Sequence, residues 1–221
     1  IDGDAQNEEF TRDYYGSLRR EDPAFGDTDL DGASINVNDD RSILERVRLE
    51  TALLEIGNIN DIIGRHLGGE IDFLSVDVDG MDLHLLNAIS VVKPRVICCE
   101  YNASLGPDLS ITTPYRDQYS RFHDYTHPIV HGTSLLALIR LMNKKGYTFV
   151  GTINGLNAFF VKNGIDLGDI RPTTLEESFE YNGYRLERMT SEEQFEEVVN
   201  SGLDFTYIDE DGNFSGMVKA E

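Results

Sequence analysis

The sequence predicts an α/β fold with a mostly parallel sheet that ends in an antiparallel hairpin. Two short apolar segments, residues 71–78 and 95–100, have the length and composition of buried strands. A segment with helical periodicity follows each of them, and two further strand-like segments lie close together after the second helix. Strands that alternate with helices indicate parallel pairing, and two strands joined by a tight turn indicate a hairpin.

The first half of this pattern begins with a helix over residues 60–67, in which Ile62, Ile63 and Leu67 lie on one face. Gly68-Gly69 ends that helix, because glycine readily adopts the backbone conformation found just after a helix. The strand 71–78 follows, and a second helix then runs through Leu83, Leu86 and Ile89. Lys93-Pro94 begins the second strand, which leads into Glu100-Tyr101-Asn102.

A long amphipathic helix begins at Thr133 and stops at Gly146. The strands 147–152 and 158–162 are then separated by Asn154-Gly155, a dipeptide that favours a tight hairpin turn. We predict one α/β domain over residues 1–170. A C-terminal extension over residues 171–221 is expected to contain a helix at 191–200 and a hairpin turn at 209–213.

Composition limits the classes of partner. The 221 residues include 40 acidic and 19 basic side chains, and the net charge of -21 repels nucleic acid and anionic membranes. A cation, a small molecule or a basic patch on another protein is the expected partner, with a homo-oligomer left open. Cys98 and Cys99 are adjacent in an apolar segment and are expected to be reduced core residues of a cytoplasmic protein.

Acidic and amide side chains follow both apolar strands. Asp77 and Asp79 end the first strand, and Glu100 and Asn102 end the second. If the strands are parallel neighbours, about 4.8 Å apart, these side chains converge, and such oxygen ligands suit magnesium or calcium. The alternative is that Asp77 and Asp79 only stabilise the start of the following helix.

Four segments together resemble the S-adenosylmethionine-dependent methyltransferases of the FkbM-like group: LSVDVDGMD, CCEYNASLGP, HGTSLLALIRLMNKKGY and GLNAFFVK. The resemblance covers residues 1–162. It implies a class I methyltransferase sheet, which is Rossmann-like, and O-methyl transfer from S-adenosylmethionine. It also implies a first strand and a Gly-rich cofactor loop before Ile1, so the N-terminal strand is expected to be missing from this chain.

The resemblance assigns residues to the cofactor and to a metal. Asp2, with Asp4 as an alternate, resembles the acid that holds the cofactor ribose, and Thr51 and Ala52 are expected near the adenine. Asp77, Glu100 and Asn102 resemble the magnesium ligands of metal-dependent relatives, and Asp79 is a further candidate ligand.

Two residues are candidates for catalysis. In a metal-free methyltransferase, Asp77 is expected to act as a base or to contact the cofactor sulfonium, and His131 is a candidate general base. His131 lies at the end of the segment 103–130, whose interspersed aromatic residues suit a cover for a sugar or ring substrate.

The predicted function is therefore O-methylation of a hydroxyl on a sugar or glycan-related small molecule, assisted by Mg²⁺. Two alternatives stay open. Asp77-Val78-Asp79 also resembles the Asp-x-Asp motif of metal-dependent glycosyltransferases. The expected loss of the cofactor loop also fits a non-catalytic, methyltransferase-like interaction module.

Overall fold

A computed structural model describes residues 50–119 and 129–221. Residues Glu55–Glu221 form one compact unit, and Glu50–Leu54 belong to a separate unit that begins at Ile1. Asp2 and Asp4, the expected ribose ligands, lie outside the described residues. The elements of the first part of the large unit are helix α1 (Ile59–Gly64), strand β1 (Gly69–Val76), helix α2 (Asp82–Ala88) and strand β2 (Val92–Glu100).

The chain continues through a 3₁₀ turn (Ala103–Leu105), strand β3 (Ile111–Thr112), helix α3 (Leu135–Lys144) and the hairpin strands β4 (Tyr147–Ile153) and β5 (Asn157–Lys162). The remaining elements are helices α4 (Leu175–Ser178), α5 (Gly183–Leu186) and α6 (Ser191–Asn200), followed by strands β6 (Phe205–Ile208) and β7 (Phe214–Val218). No helix of the described residues is both long and apolar enough to cross a membrane.

The first sheet has four strands in the order β1-β2-β5-β4. β1 and β2 are parallel, with Leu74 paired to Ile97, and β5 is antiparallel to both β2 and β4. β1, β2 and β4 therefore point the same way and β5 points the opposite way. The α/β character and the parallel β1–β2 pair agree with the sequence prediction. The sheet is mixed rather than mostly parallel, because β5 runs antiparallel to both of its neighbours.

The hairpin between β4 and β5 also agrees with the prediction. Asn154 and Gly155 both have positive φ, at 60° and 59°, and Leu156 N–H donates to the Ile153 carbonyl at 3.2 Å. Two successive left-handed residues closed by that hydrogen bond form a type I′ turn, whose twist matches the strands it joins. The predicted Asn-Gly turn is confirmed.

The predicted hairpin with its turn at 209–213 is confirmed as two antiparallel strands, and it belongs to a second sheet that the sequence does not predict. This second sheet has three antiparallel strands in the order β3-β6-β7, so β3 from the middle of the chain pairs with β6 from the C-terminal tail. Helix α3 contacts β4 of the first sheet and both β3 and β6 of the second. The side chains that α3 buries between these sheets are Leu135, Ala137, Leu138, Leu141 and Met142.

Several boundaries differ from the predicted ones. β1 begins at Gly69 rather than residue 71 and ends at Val76, because Asp77 and Val78 already belong to the turn into α2. Helix α1 ends at Gly64, shorter than the predicted 60–67. The tail helix matches the prediction at both ends, since α6 spans Ser191–Asn200 and begins with a capping box at Thr190. The domain boundary at 170/171 stays a prediction.

Candidate functional site

The ends of β1 and β2 lie side by side. Val76 pairs with Cys99 in the parallel register, so Asp77 and Glu100 each follow a paired residue at the same edge of the sheet. One oxygen each from Asp77, Asp82 and Glu100 lies within 4.8 Å of the other two. We refer to these three residues as the acidic triad. The expected convergence of the two strand ends is present in the structure.

Asp82 was not among the predicted ligands, although it is the most constrained member of the acidic triad. Its side chain is 1% exposed. One carboxylate oxygen accepts from Val78 N–H at 2.8 Å and the other from Gly80 N–H at 2.9 Å. A carboxylate offers about four lone-pair positions, so these two bonds leave room for a further ligand.

The local backbone explains how Asp82 comes to face the strand ends. Asp82 is the first residue of α2, and the turn before it places Asp79 and Gly80 at positive φ values of 55° and 145°. This turn directs the Val78 and Gly80 N–H groups toward the carboxylate. Burial raises the pKa of Asp82 from 3.8 to about 7, and the neighbouring charge of Asp77 acts in the same direction.

The members of the acidic triad differ in their access to solvent. Asp77 is exposed, Glu100 is partly buried and Asp82 is buried. A hard divalent cation prefers oxygen ligands and often retains water molecules, so three carboxylates with one side open to solvent form a suitable donor set. The residues present therefore fit a magnesium-like cation. Asp79 is exposed and is not a member of the triad.

Asn102 has a different role from the one predicted for it. Its amide nitrogen donates to the carbonyls of Ile129 at 2.7 Å and His131 at 2.8 Å. Its amide oxygen accepts from Ser104 N–H at 3.1 Å and also from the Arg185 guanidinium. An Asn side chain offers two donors and two acceptor positions, so these four bonds use its full capacity.

Arg185 is a second residue at this edge of the sheet that no local sequence pattern marks. It belongs to α5 and reaches the end of β2, where Nη1 donates to Ser104 Oγ at 3.0 Å. Its Nη2 lies 3.5 Å from His131 Nε2. Because a guanidinium offers only donors, the Nε2 lone pair of a neutral His131 faces Arg185. His131 is 2% exposed and can accept a proton at Nε2 only when Arg185 moves away.

Thr51 and Ala52, the residues expected near the adenine, lie in the smaller unit. Thr51 is exposed and Ala52 is partly buried, both within the described residues 50–54. Cys98 and Cys99 are free and buried, as predicted, and burial raises the pKa of both thiols. Of the segment 103–130, the structure describes residues 103–119 and 129–130, which include the 3₁₀ turn and β3, a strand of the second sheet.

Comparison with known proteins gives no assignment. No protein-family model matches the chain, no curated protein matches it and no solved structure matches it.

Proposed function

We propose that this chain is an S-adenosylmethionine-dependent O-methyltransferase that acts on a hydroxyl of a sugar or glycan-related small molecule. The observation that carries the proposal is the acidic triad at the carboxyl ends of two adjacent parallel strands. In open sheets of this kind, ligands bind beyond the carboxyl ends of the strands. The class I methyltransferase sheet implied by the four resembling segments places metal ligands at the same edge.

Asp77, Asp82 and Glu100 would hold the metal. When bound, a divalent cation orients a substrate hydroxyl and lowers its pKa. The chain itself contributes position and charge. Asp82 is held by two backbone N–H groups, so its carboxylate stays fixed, whereas the exposed Asp77 faces the side from which an acceptor approaches. Because these groups are already held in position, less entropy is lost when the reaction reaches its transition state.

The cofactor would lie on the same side of the sheet. S-adenosylmethionine supplies an electrophilic methyl group on a positively charged sulfur, which an acidic site attracts. If the reaction proceeds without a metal, Asp77 is instead the described residue suited to contact that sulfonium. His131 is the candidate base, and its Nε2 becomes available to an acceptor when the guanidinium of Arg185 is displaced.

Calorimetric titration tests the class of enzyme. We expect S-adenosylhomocysteine to bind and a nucleoside diphosphate with Mg²⁺ not to bind. The opposite result would favour the Asp-x-Asp glycosyltransferase alternative. Binding of neither compound would favour the non-catalytic module.

A thermal-shift experiment with MgCl₂ tests the metal separately. At a concentration of 100 times Kd, a cation that binds only the folded state adds about 2.7 kcal/mol to the free energy of unfolding. We expect Glu100→Gln to remove this stabilisation. The matched control Asp79→Asn also removes one acid near the strand ends and should retain it. If both variants respond to magnesium as the parent does, the acidic triad is not a metal site.

A further inference from the structure

A cavity of about 300 Å³ lies between the 3₁₀ turn Ala103–Leu105 and the beginning of α6. Its apolar walls come from Leu105, Leu109 and Phe195. Leu105 also belongs to the hydrophobic core beneath the second sheet, so this wall is fixed by core packing. The volume is at the lower end of the roughly 300–1,000 Å³ typical of small-molecule pockets.

The ring of Tyr181 forms another wall and is held in place by aromatic packing. Tyr181 meets Phe179 edge-on at a centroid distance of 5.0 Å, and Phe179 packs against Tyr101 at 6.3 Å. The Tyr101 hydroxyl donates to the Glu180 carbonyl at 3.0 Å. These contacts fix the segment that carries Tyr181, so Tyr181 keeps its position in the cavity wall.

Negative charge is concentrated at the same cavity. Asp108, Glu192 and Glu221 line it, and none of the described lining residues is a lysine or an arginine. Burial raises the pKa of Tyr181, and the charges of Glu192 and Asp108 add to that effect. The cavity thus combines apolar walls, an aromatic residue and three acids.

We propose that this cavity binds a small organic cation whose alkyl chain contacts the apolar walls and whose ammonium group faces Asp108, Glu192 and Tyr181. Carboxylates attract such a group by charge, and an aromatic ring attracts it through its quadrupole. An inorganic cation would leave the apolar walls in contact with water, and an anion would be repelled by all three lining acids. The proposal goes beyond the methyltransferase function and does not depend on the acidic triad.

Calorimetric or NMR titration with butylammonium tests the proposal, and 1-butanol is the uncharged comparison of similar size. We expect butylammonium to bind with a Kd in the millimolar range and to shift the NMR signals of Tyr181 and Phe195. 1-Butanol should bind at least about threefold more weakly, because it lacks the charge. Equal affinity for both compounds would overturn the proposal, since the cavity would then be only an apolar site.

Two variants distinguish binding in the cavity from the nonspecific attraction of any cation to a protein with a net charge of -21. Glu192→Gln removes a lining acid, and Glu196→Gln removes an exposed acid from the same helix that does not line the cavity. We expect Glu192→Gln to raise the Kd for butylammonium by about threefold and Glu196→Gln to leave it unchanged. Equal weakening by both would overturn the proposal.

A third variant keeps the test decisive if Glu192→Gln disturbs the first turn of α6. Asp108→Asn removes another lining acid, which lies in a loop, and circular dichroism shows whether each variant is folded. We expect Asp108→Asn to weaken butylammonium binding by about threefold as well, with 1-butanol binding unchanged. If neither folded variant alters the butylammonium affinity, Asp108 and Glu192 do not form the site and the proposal is overturned.

Discussion

The ends of β1 and β2 carry similar polar residues but use them in different ways. After β1, Asp77 is exposed, and Asp82 retains free lone-pair positions beyond its two backbone hydrogen bonds. After β2, Asn102 makes four hydrogen bonds within the protein and is 3% exposed. A polar residue at a strand end is therefore a candidate ligand only when its hydrogen-bonding capacity is not already used by the fold.

The largest effect that tests this comparison is expected at Asn102. Asn102→Ala should lower the free energy of unfolding by about 3 kcal/mol, because buried carbonyls of Ile129 and His131 and the Ser104 N–H lose their partner. Urea denaturation measures this change. Asp77→Ala is the comparison at the other strand end, and its effect should stay within about 0.5 kcal/mol. Equal losses for the two variants would contradict the distinction.

A pH-dependent effect is expected at Asp82. Burial raises the pKa of this carboxyl in the folded protein to about 7, well above its value in an unfolded chain. The folded state therefore keeps a proton that the unfolded state has released. The contribution of Asp82 to the free energy of unfolding has its full value below about pH 4. It decreases as the pH rises toward 7, by up to about 1.4 kcal/mol per pH unit.

Urea denaturation at pH 5, 6, 7 and 8 in the presence of a chelator measures this slope. Asp82→Asn has a side chain of the same shape that does not titrate, so the difference between parent and variant isolates Asp82 from the other acids. The parent should lose stability relative to the variant as the pH rises to about 7. A difference that is constant over the whole series would show that Asp82 does not titrate in this range.

The smallest effect is expected at Asp79, whose φ of 55° places it in the left-handed region. Asp79→Gly should be more stable than Asp79→Ala by about 1 kcal/mol, because glycine adopts this conformation without strain. Thermal or urea unfolding of the two variants provides the measurement. If they are equally stable, the backbone at residue 79 does not require this conformation.

Local sequence signals predicted the elements that position the acidic triad. Apolar runs with acids at their ends predicted two adjacent parallel strands, and Leu74 does pair with Ile97. Asn154-Gly155 predicted the hairpin because few dipeptides adopt two successive left-handed conformations readily. In these cases the residues that determine the structure lie within a few positions of one another.

The second sheet and Arg185 could not be predicted in the same way. β3 has only two residues, and its partner β6 lies in the C-terminal tail, so no local pattern marks the pairing. Arg185 reaches Asn102 across 83 positions of sequence. Asp82 is not marked by the sequence for a different reason. An acid at the start of a helix is already explained by its favourable interaction with the helix N-terminus, and the burial of Asp82 depends on packing.

The pairing of β3 with β6 has a consequence for dividing the chain. A cut in the exposed loop near Asp169 separates β3 from the strand that completes its sheet, and it removes Arg185 from the end of β2. Neither piece then retains all its hydrogen-bond partners, whereas two pieces produced together can form these hydrogen bonds with each other. The protein is thus suited to fragment complementation, in which reassembly of two fused halves reports the meeting of the partners attached to them.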